Sequence, residues 1–368
     1  MRIALVHSYY SSRVPSGENN LVDAHIEVLR AAGHEVRVIA QSTDRRLRRR
    51  SYPVEAAMTA ATGVGPSPLD ELHEFKPDVV HVHNLFPNFG RRWLSKWTGP
   101  LVASLYNYRP LCPAATLFRD GSVCTDCPRT GSTRHAVRHQ CFHRSSIATI
   151  PVALGTRFAD DPVLQRADVL TTLSAGMSEI YAEFGVPPDK LTVLDSFVAE
   201  ASAGPGGDRW LYAGRIERDK GLHALIDGWP AGHRLVVAGA EDESDPLPRH
   251  PDVELLGRVP HDELVNLMGH SRGLVFPSIW LEGLALVCLE AFSVGTPVLT
   301  FDDIPAGRSV TELGVGLAGG RGELPVLLER AAESFPALRE HCRSVHAARF
   351  TAEAWLRDVE SIYARAMT

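Results

Sequence analysis

Two successive series of short apolar runs, separated by amphipathic helical stretches, constrain this chain more than any other feature. The first series is "RIALVHS" (2–8), "EVRVIAQ" (35–41), "DVVHVHN" (78–84), "LVASLYN" (101–107), "DVLTTLS" (168–174) and "KLTVLDSF" (190–197). After the first run, "GENNLVDAHIEVLRAAG" (17–33) carries Leu21, Ala24, Val28, Leu29 and Ala32 at helical spacing and ends on a terminating glycine. Strands joined by helical crossovers imply a parallel sheet. "VAEASAGPGGD" (198–208) interrupts the pattern with small residues and reads as a flexible linker. The second series then runs "RWLYAG" (209–214), "HRLVVAG" (233–239), "VELLG" (253–257), "GLVFPS" (273–278) and "PVLTF" (297–301). "TAEAWLRDVESIYARAM" (351–367) is a last helix with no strand after it. The expected class is therefore α/β, with doubly wound parallel-sheet domains over 1–197 and 209–348 and a terminal helix within 349–368. A length of 368 residues suits two cores. Two such domains leave a cleft between the carboxyl ends of their strands, where ligands bind in folds of this kind.

Charge and hydropathy narrow the partners. A net charge of −6, histidines taken as neutral, argues against nonspecific nucleic-acid binding. The first apolar run, Ile3 to Val6, is shorter than a secretory signal requires, and no stretch approaches the length of a spanning helix. The expectation is a cytoplasmic protein without a transmembrane segment, its six cysteines free or metal-bound. The basic cluster "RRLRRR" (45–50) reads either as a solvated loop or as a contact for an acidic acceptor or a membrane surface.

The apolar run "EGLALVCLEA" (282–291) has an acid near each end, Glu282 and Glu290. Gly283 breaks the chain, and a helix is expected from Leu284 to Val294, closed by Gly295-Thr-Pro. Along such a helix the two acids stand on the order of 12 Å apart. That is too far for acid/base partnership across one glycosidic bond, which needs roughly 5–9.5 Å. They fit better as holders of different parts of one elongated ligand. The helix N-terminus between them, with N–H groups of Gly283 and Leu284, is a seat for an anion such as a diphosphate. "YAGRIERDKG" (212–221) sets Arg215 and Lys220 just after a strand of the same series. One guanidinium and one ammonium at that place complement a diphosphate.

"GRIERDKG" (214–221), "PSIWLEGLALVCLEAFSVGTPV" (277–298), "PSGENNLVDAHIEVLRAAGHEVRV" (15–38), "VVHVHN" (79–84) and the terminal helix together resemble the retaining glycosyltransferases of family 4, of GT-B architecture. The resemblance implies two Rossmann-like domains, the first for the acceptor and the second for a nucleotide-diphosphate sugar. It implies that Arg215 and Lys220 bind the donor diphosphate, that Glu282 lies near the donor sugar, and that Glu290 binds the ribose. Gly17, in the first strand-to-helix turn, would approach the phosphates or the acceptor. No catalytic metal is implied, and the chain has no Asp-x-Asp. The acceptor would be a hydroxyl of a glycan, a lipid-linked glycan or a natural product. Where the family usually has His-Asn-Tyr or His-Asp-Tyr this chain has "YNY", with Tyr106 in the place of the histidine that touches the donor sugar. His83 and Asn84 end the third strand and either reach the acceptor or serve the core. Alternative readings are an epimerase or phosphorylase of the same architecture, or a nucleotide-sugar binding subunit without turnover. A dehydrogenase lacks support, since no Gly-x-Gly-x-x-Gly follows the first strand.

Cys112, Cys124, Cys127 and Cys141 fall within thirty residues, with a Cys-x2-Cys pair at their centre. The spacing suits a structural zinc, with free thiols in a loop or disulfides as the alternatives. Such a metal would organise an insertion of about 110–150 beside the acceptor side of the cleft.

Overall fold

The computed structural model describes residues 1–12, 17–242 and 244–368. Six parallel strands form the first sheet: β1 (Arg2–Tyr9), β2 (Glu35–Ser42), β3 (Val79–Asn84), β4 (Leu101–Leu105), β7 (Val169–Thr172) and β8 (Leu191–Val193). A short antiparallel hairpin, β5 (Phe118–Arg119) with β6 (Ser122–Val123), lies in the long connection after β4. The second sheet holds β9 (Trp210–Ala213), β10 (Leu235–Ala238), β11 (Val253–Gly257), β12 (Gly273–Phe276), β13 (Val298–Phe301) and β14 (Gly316–Gly319). The strand orders are β2-β1-β3-β4-β7-β8 and β11-β10-β9-β12-β13-β14. In each the chain starts mid-sheet, builds one way, then crosses back, so each sheet reverses beside its first strand. Ligands bind at such reversals, outside the carboxyl ends of the strands.

The sequence pattern did not reveal β14. Its residues, "GLAG", carry little apolar character because the strand lies tightly against its neighbour. A Cβ on Gly316 would stand 1.8 Å from the Val298 carbonyl oxygen. The stretch 198–207 has no helix or strand, but it is bound rather than loose. Gly204 N–H donates to Val294 O at 3.1 Å, Gly206 N–H to Gly269 O at 2.9 Å, and Arg339 Nη2 to Gly204 O at 3.2 Å. Its glycines permit this contact, since a Cβ on Gly204 would come within 2.1 Å of Gly269 O.

The terminal helix Ala352–Ala366 begins on Thr351, whose side chain accepts from the Ala354 N–H. Trp355, Val359, Ile362 and Tyr363 on it join Ile3, Leu5, Val22 and Val102 in one buried cluster. The helix thus closes one face of the first sheet although it follows the second in sequence.

The zinc expectation for the cysteine segment finds no support in the structure. Cys112, Cys124, Cys127 and Cys141 are free thiols, and among the described residues no three His, Cys, Asp or Glu side chains stand where they could hold a metal ion. Packing explains the difference. Cys112 lies against the apolar core of the first domain, and Cys127 is buried in the first turn of the helix Asp126–Thr130. Burial, reinforced by the neighbouring thiols, pushes Cys127 up to about 12 and Cys141 up to about 11. The segment is organised by apolar contact instead, chiefly through the helix Ser146–Gly155, which packs along the helix Tyr52–Thr62.

Candidate active site

On the second domain the site grows from the ends of β9 and β12. Lys220 follows β9 and points its ammonium at the Glu282 carboxylate, at 2.8 and 2.7 Å from the two oxygens. Both side chains are largely buried. Ser278 Oγ donates to Glu282 Oε2 at 2.9 Å, and the Trp280 ring stands 5.2 Å from the ammonium. The two loops are joined by Ile279 N–H, which donates to Asp219 O at 2.9 Å. Gly221 makes this approach feasible: its φ is +74°, and a Cβ there would stand 2.0 Å from Pro277 O.

The helix after Glu282 spans Leu286–Ser293, starting two residues later than the sequence pattern suggests. The delay has a cause in the opposite domain. Trp280 and Leu281 pack against the first domain's core, Tyr108 Oη donates to Leu281 O at 2.9 Å, and a Cβ on Gly283 would meet Ser174 Oγ at 2.9 Å. Residues 277–285 therefore cross the cleft in irregular form before the helix can begin. Among the described residues, the N–H groups of Gly283, Leu284 and Ala285 donate to no protein acceptor. They form an open set of donors beside Lys220 and Glu282. Gly17 heads the helix Gly17–Ala31 and faces the same helix start, since a Cβ there would lie 4.0 Å from Leu286 Cδ1.

Two expected members stand apart from this pair. Arg215 is half exposed and directs Nη1 to Glu217 at 2.5 Å. Glu290 lies further along the helix and its Oε1 accepts from His261 Nε2 at 3.0 Å. The thiol of Cys288, buried on the same helix as Glu290, is pushed up first by burial and then by Glu282, with Lys220 and Glu290 also acting on it.

On the first domain His83, Asn84 and Tyr106 come together at the ends of β3 and β4. His83 Nδ1 and the Tyr106 hydroxyl share a hydrogen bond of 2.7 Å, their rings nearly parallel. The hydroxyl of Tyr106 is thus turned to His83, with Ser104 also acting on it. Asn84 Oδ1 accepts from the Phe86 N–H at 2.9 Å. These residues line a cavity of about 110 Å³, with Arg109 and Asn107 beside them. Among the described residues, His83 Nε2 and Arg109 Nε on this lining complete no hydrogen bond, while Asn84 acts on the neighbouring Glu18 carboxyl through its side chain. Buried polar atoms are usually satisfied, so this lining is a candidate ligand-facing surface. Burial raises the Glu18 carboxyl to about 7, against the lowering effect of Asn84 and Arg109. Arg109 donates to Pro113 O and stacks its guanidinium 4.2 Å from the Phe86 ring centroid.

Sequence reasoning missed Glu18, Arg109, Tyr108, His261, Ser278 and Trp280. Glu18 adjoins Gly17, and Arg109 adjoins "YNY", so proximity to marked positions was the available signal. His261 had none, because only folding brings it to Glu290.

Two parallel-sheet domains, with a cation, an acid and open amides on one side of the cleft and a polar cavity on the other, place the chain in the Rossmann-like class of two-sheet α/β proteins. Comparison with known proteins agrees. The family described as glycosyl transferase 4-like domain matches residues 17–195, and that described as glycosyl transferases group 1 matches residues 202–323. The chain belongs to the family 4 glycosyltransferases of GT-B architecture. Glycogen synthase of Mycobacterium tuberculosis is 26% identical over 258 residues, covering 64% of this chain and 55% of that protein. The chain thus spans about half the length of the curated relative it matches. Sucrose-phosphate synthase from Thermosynechococcus elongatus superposes over 99% of this chain and 98% of its own, with a TM-score of 0.65 at 15% identity. Anabaena HepE, solved in complex with UDP, covers 99% and 100%, with a TM-score of 0.61 at 15% identity.

Proposed function

We propose that the chain moves a sugar from a nucleotide-diphosphate sugar to an acceptor hydroxyl with retention of configuration and without a catalytic metal. The observation that carries this reading is the meeting of Lys220, Glu282, Ser278 and the free amides of 283–285 at one end of the donor-side helix. The UDP bound by the Anabaena neighbour supports a nucleotide donor. In this reading residues 1–197 bind the acceptor and 209–348 the donor, with 198–208 joining them and 349–368 returning to the first domain.

Donor binding divides the charges. Lys220 and Arg215 take the diphosphate together with the amides of Gly283 and Leu284, and Arg215 exchanges Glu217 for phosphate oxygen. Glu282, held by Ser278, faces the donor sugar, and Glu290 with His261 takes the ribose. Gly17, opposite Leu286, leaves room for the phosphates. As the anomeric carbon–oxygen bond breaks, negative charge grows on the leaving phosphate, towards which these cations and N–H groups are already aimed. The acceptor oxygen attacks the same face and gives its proton to the departing phosphate oxygen. His83, Asn84 and Tyr106, with Glu18 and Arg109, position the acceptor.

The test is thermal unfolding against UDP-, ADP- and GDP-sugars, for wild type and Glu290→Ala. A ligand at 100 times its dissociation constant adds about 2.7 kcal/mol, or a few degrees at this size. A shift with one base series, lost in the variant, supports the reading. No shift with any sugar nucleotide rejects the donor site.

A further inference from the structure

Large apolar side chains are exposed together on two helices that pack side by side in the first domain. Val54 and Met58 project from Tyr52–Thr62, and Ile147, Ile150 and Leu154 from Ser146–Gly155. Ile147 is 84% exposed and Val54 67%. The spacings 54/58 and 147/150/154 each make one helical stripe. The helices touch closely, since a Cβ on Gly155 would lie 1.8 Å from Ala60 O. Ser146–Gly155 carries no charged residue, and the single acid of its neighbour, Glu55, is neutralised by Arg46 at 2.9 Å.

Basic residues adjoin this face. The short helix Thr43–Arg46 and the turn that leads into Tyr52–Thr62 present Arg45, Arg48, Arg49 and Arg50 to solvent, with Leu47 exposed among them. They stand out in a chain of net charge −6. Isolated exposed apolar residues are ordinary, but two adjoining stripes bordered by exposed arginines combine the two requirements of an anionic bilayer surface: apolar insertion and attraction to headgroups.

We propose that the helices Tyr52–Thr62 and Ser146–Gly155, with the arginines of 45–50, form a docking face for an anionic lipid bilayer. The same helices also provide one wall of the acceptor-side cavity, through Thr59, Ala60, Val152 and Gly155, while His83, Asn84 and Arg109 provide another. Docking would hold that cavity at the headgroup level. The proposal concerns binding alone and stands or falls independently of the sugar-transfer reading.

The test is co-sedimentation of the full chain with vesicles of phosphatidylcholine, alone or mixed with phosphatidylglycerol, at low and high salt. Wild type should partition to the anionic vesicles and lose most binding in high salt, where surface charges are screened. Replacing Arg48, Arg49 and Arg50 by Gln should weaken partition about a hundredfold. Ile147→Ser with Leu154→Ser should weaken it at least tenfold, with Val54→Ser and Met58→Ser as the second pair should the first shift the thermal midpoint. Absence of binding to anionic vesicles, or equal binding by the variants, overturns the proposal. So does a sedimentation mass of two copies that the serine variants reduce to one without changing vesicle binding, since the face would then join copies of the chain.

Discussion

At the scale of single residues the donor side turns on one ion pair. Lys220 is held between both Glu282 oxygens, and Glu282 is also fixed by Ser278. Lys220→Ala should lower turnover about 10²–10³-fold, by analogy with loss of an oxyanion donor. Ser278→Ala, which removes one orienting bond, should cost about tenfold or less, so the ranking of the two kcat values checks the arrangement. Gly221 gives a backbone counterpart. At φ +74° with Pro277 O against its Cα face, Gly221→Ala forces apart the loops carrying Lys220 and Glu282. Its expected cost of about 1–3 kcal/mol is a drop of several degrees in the thermal midpoint. Gly232→Ala, also at positive φ but with open space around its Cβ, should cost less. Equal losses would mean that Pro277 yields.

At the scale of elements, what the sequence made legible follows burial. Strands buried on both faces, such as β1 and β9, are continuous apolar runs, and a parallel sheet demands them. β14 escaped because close contact with β13 selects glycine rather than valine or isoleucine. The donor-side helix was legible from Leu286 on, whereas its start was set by Tyr108 and Ser174 of the other domain, which no local pattern encodes. Likewise Lys220 and Glu282 could be marked from spacing, but the pairing of Glu290 with His261 could not. For the cysteine segment, spacing marks four candidate ligands but does not say which thiols the core takes up, here Cys112 and Cys127. Its packing has a measurable consequence. With Cys141 pushed up to about 11, its thiolate fraction at neutral pH lies about 10²-fold below that of a free cysteine. Alkylation followed by mass spectrometry should show Cys141 and Cys127 reacting slowly in the folded chain and at ordinary rates in denaturant. A chelator should leave the thermal midpoint in place. Equimolar metal in the purified protein would instead return the four cysteines to a ligand role.

At the scale of the whole molecule, the terminal helix is joined to the first sheet through buried histidines, and this makes acid the expected route to its release. His81 bonds Tyr363 Oη at 2.8 Å through Nδ1 and Ser104 Oγ at 2.8 Å through Nε2. His25 stacks on Trp355 at 4.1 Å, with neither ring nitrogen hydrogen-bonded. Burial lowers His7 to about 4 and His81 to about 3, and it drives His25 and His83 well below the ordinary imidazole value. Above about pH 6.5 these rings are neutral in folded and unfolded chains alike and leave stability independent of pH. As pH falls through that value the unfolded chain takes up protons that the fold refuses. Each ring then costs about 1.4 kcal/mol per pH unit until its folded value is reached. Glu18 acts in the opposite sense, because its carboxyl, raised to about 7, binds a proton in the fold between about pH 7 and 4.5 that the unfolded chain does not. Burial also lowers His346 and raises the Asp161 and Asp195 carboxyls, and the five rings, which begin to cost stability at about pH 6.5, outweigh the three acids, so stability should fall from about pH 6 towards 4. Replacing His25 by Leu removes one titrating ring without removing a hydrogen bond. Its denaturant-derived stability should therefore lose less between pH 6 and 5 than wild type does, by about 1 kcal/mol. An unchanged acid slope in His25→Leu would show that this ring already carries a proton in the fold, or that the helix detaches before it titrates.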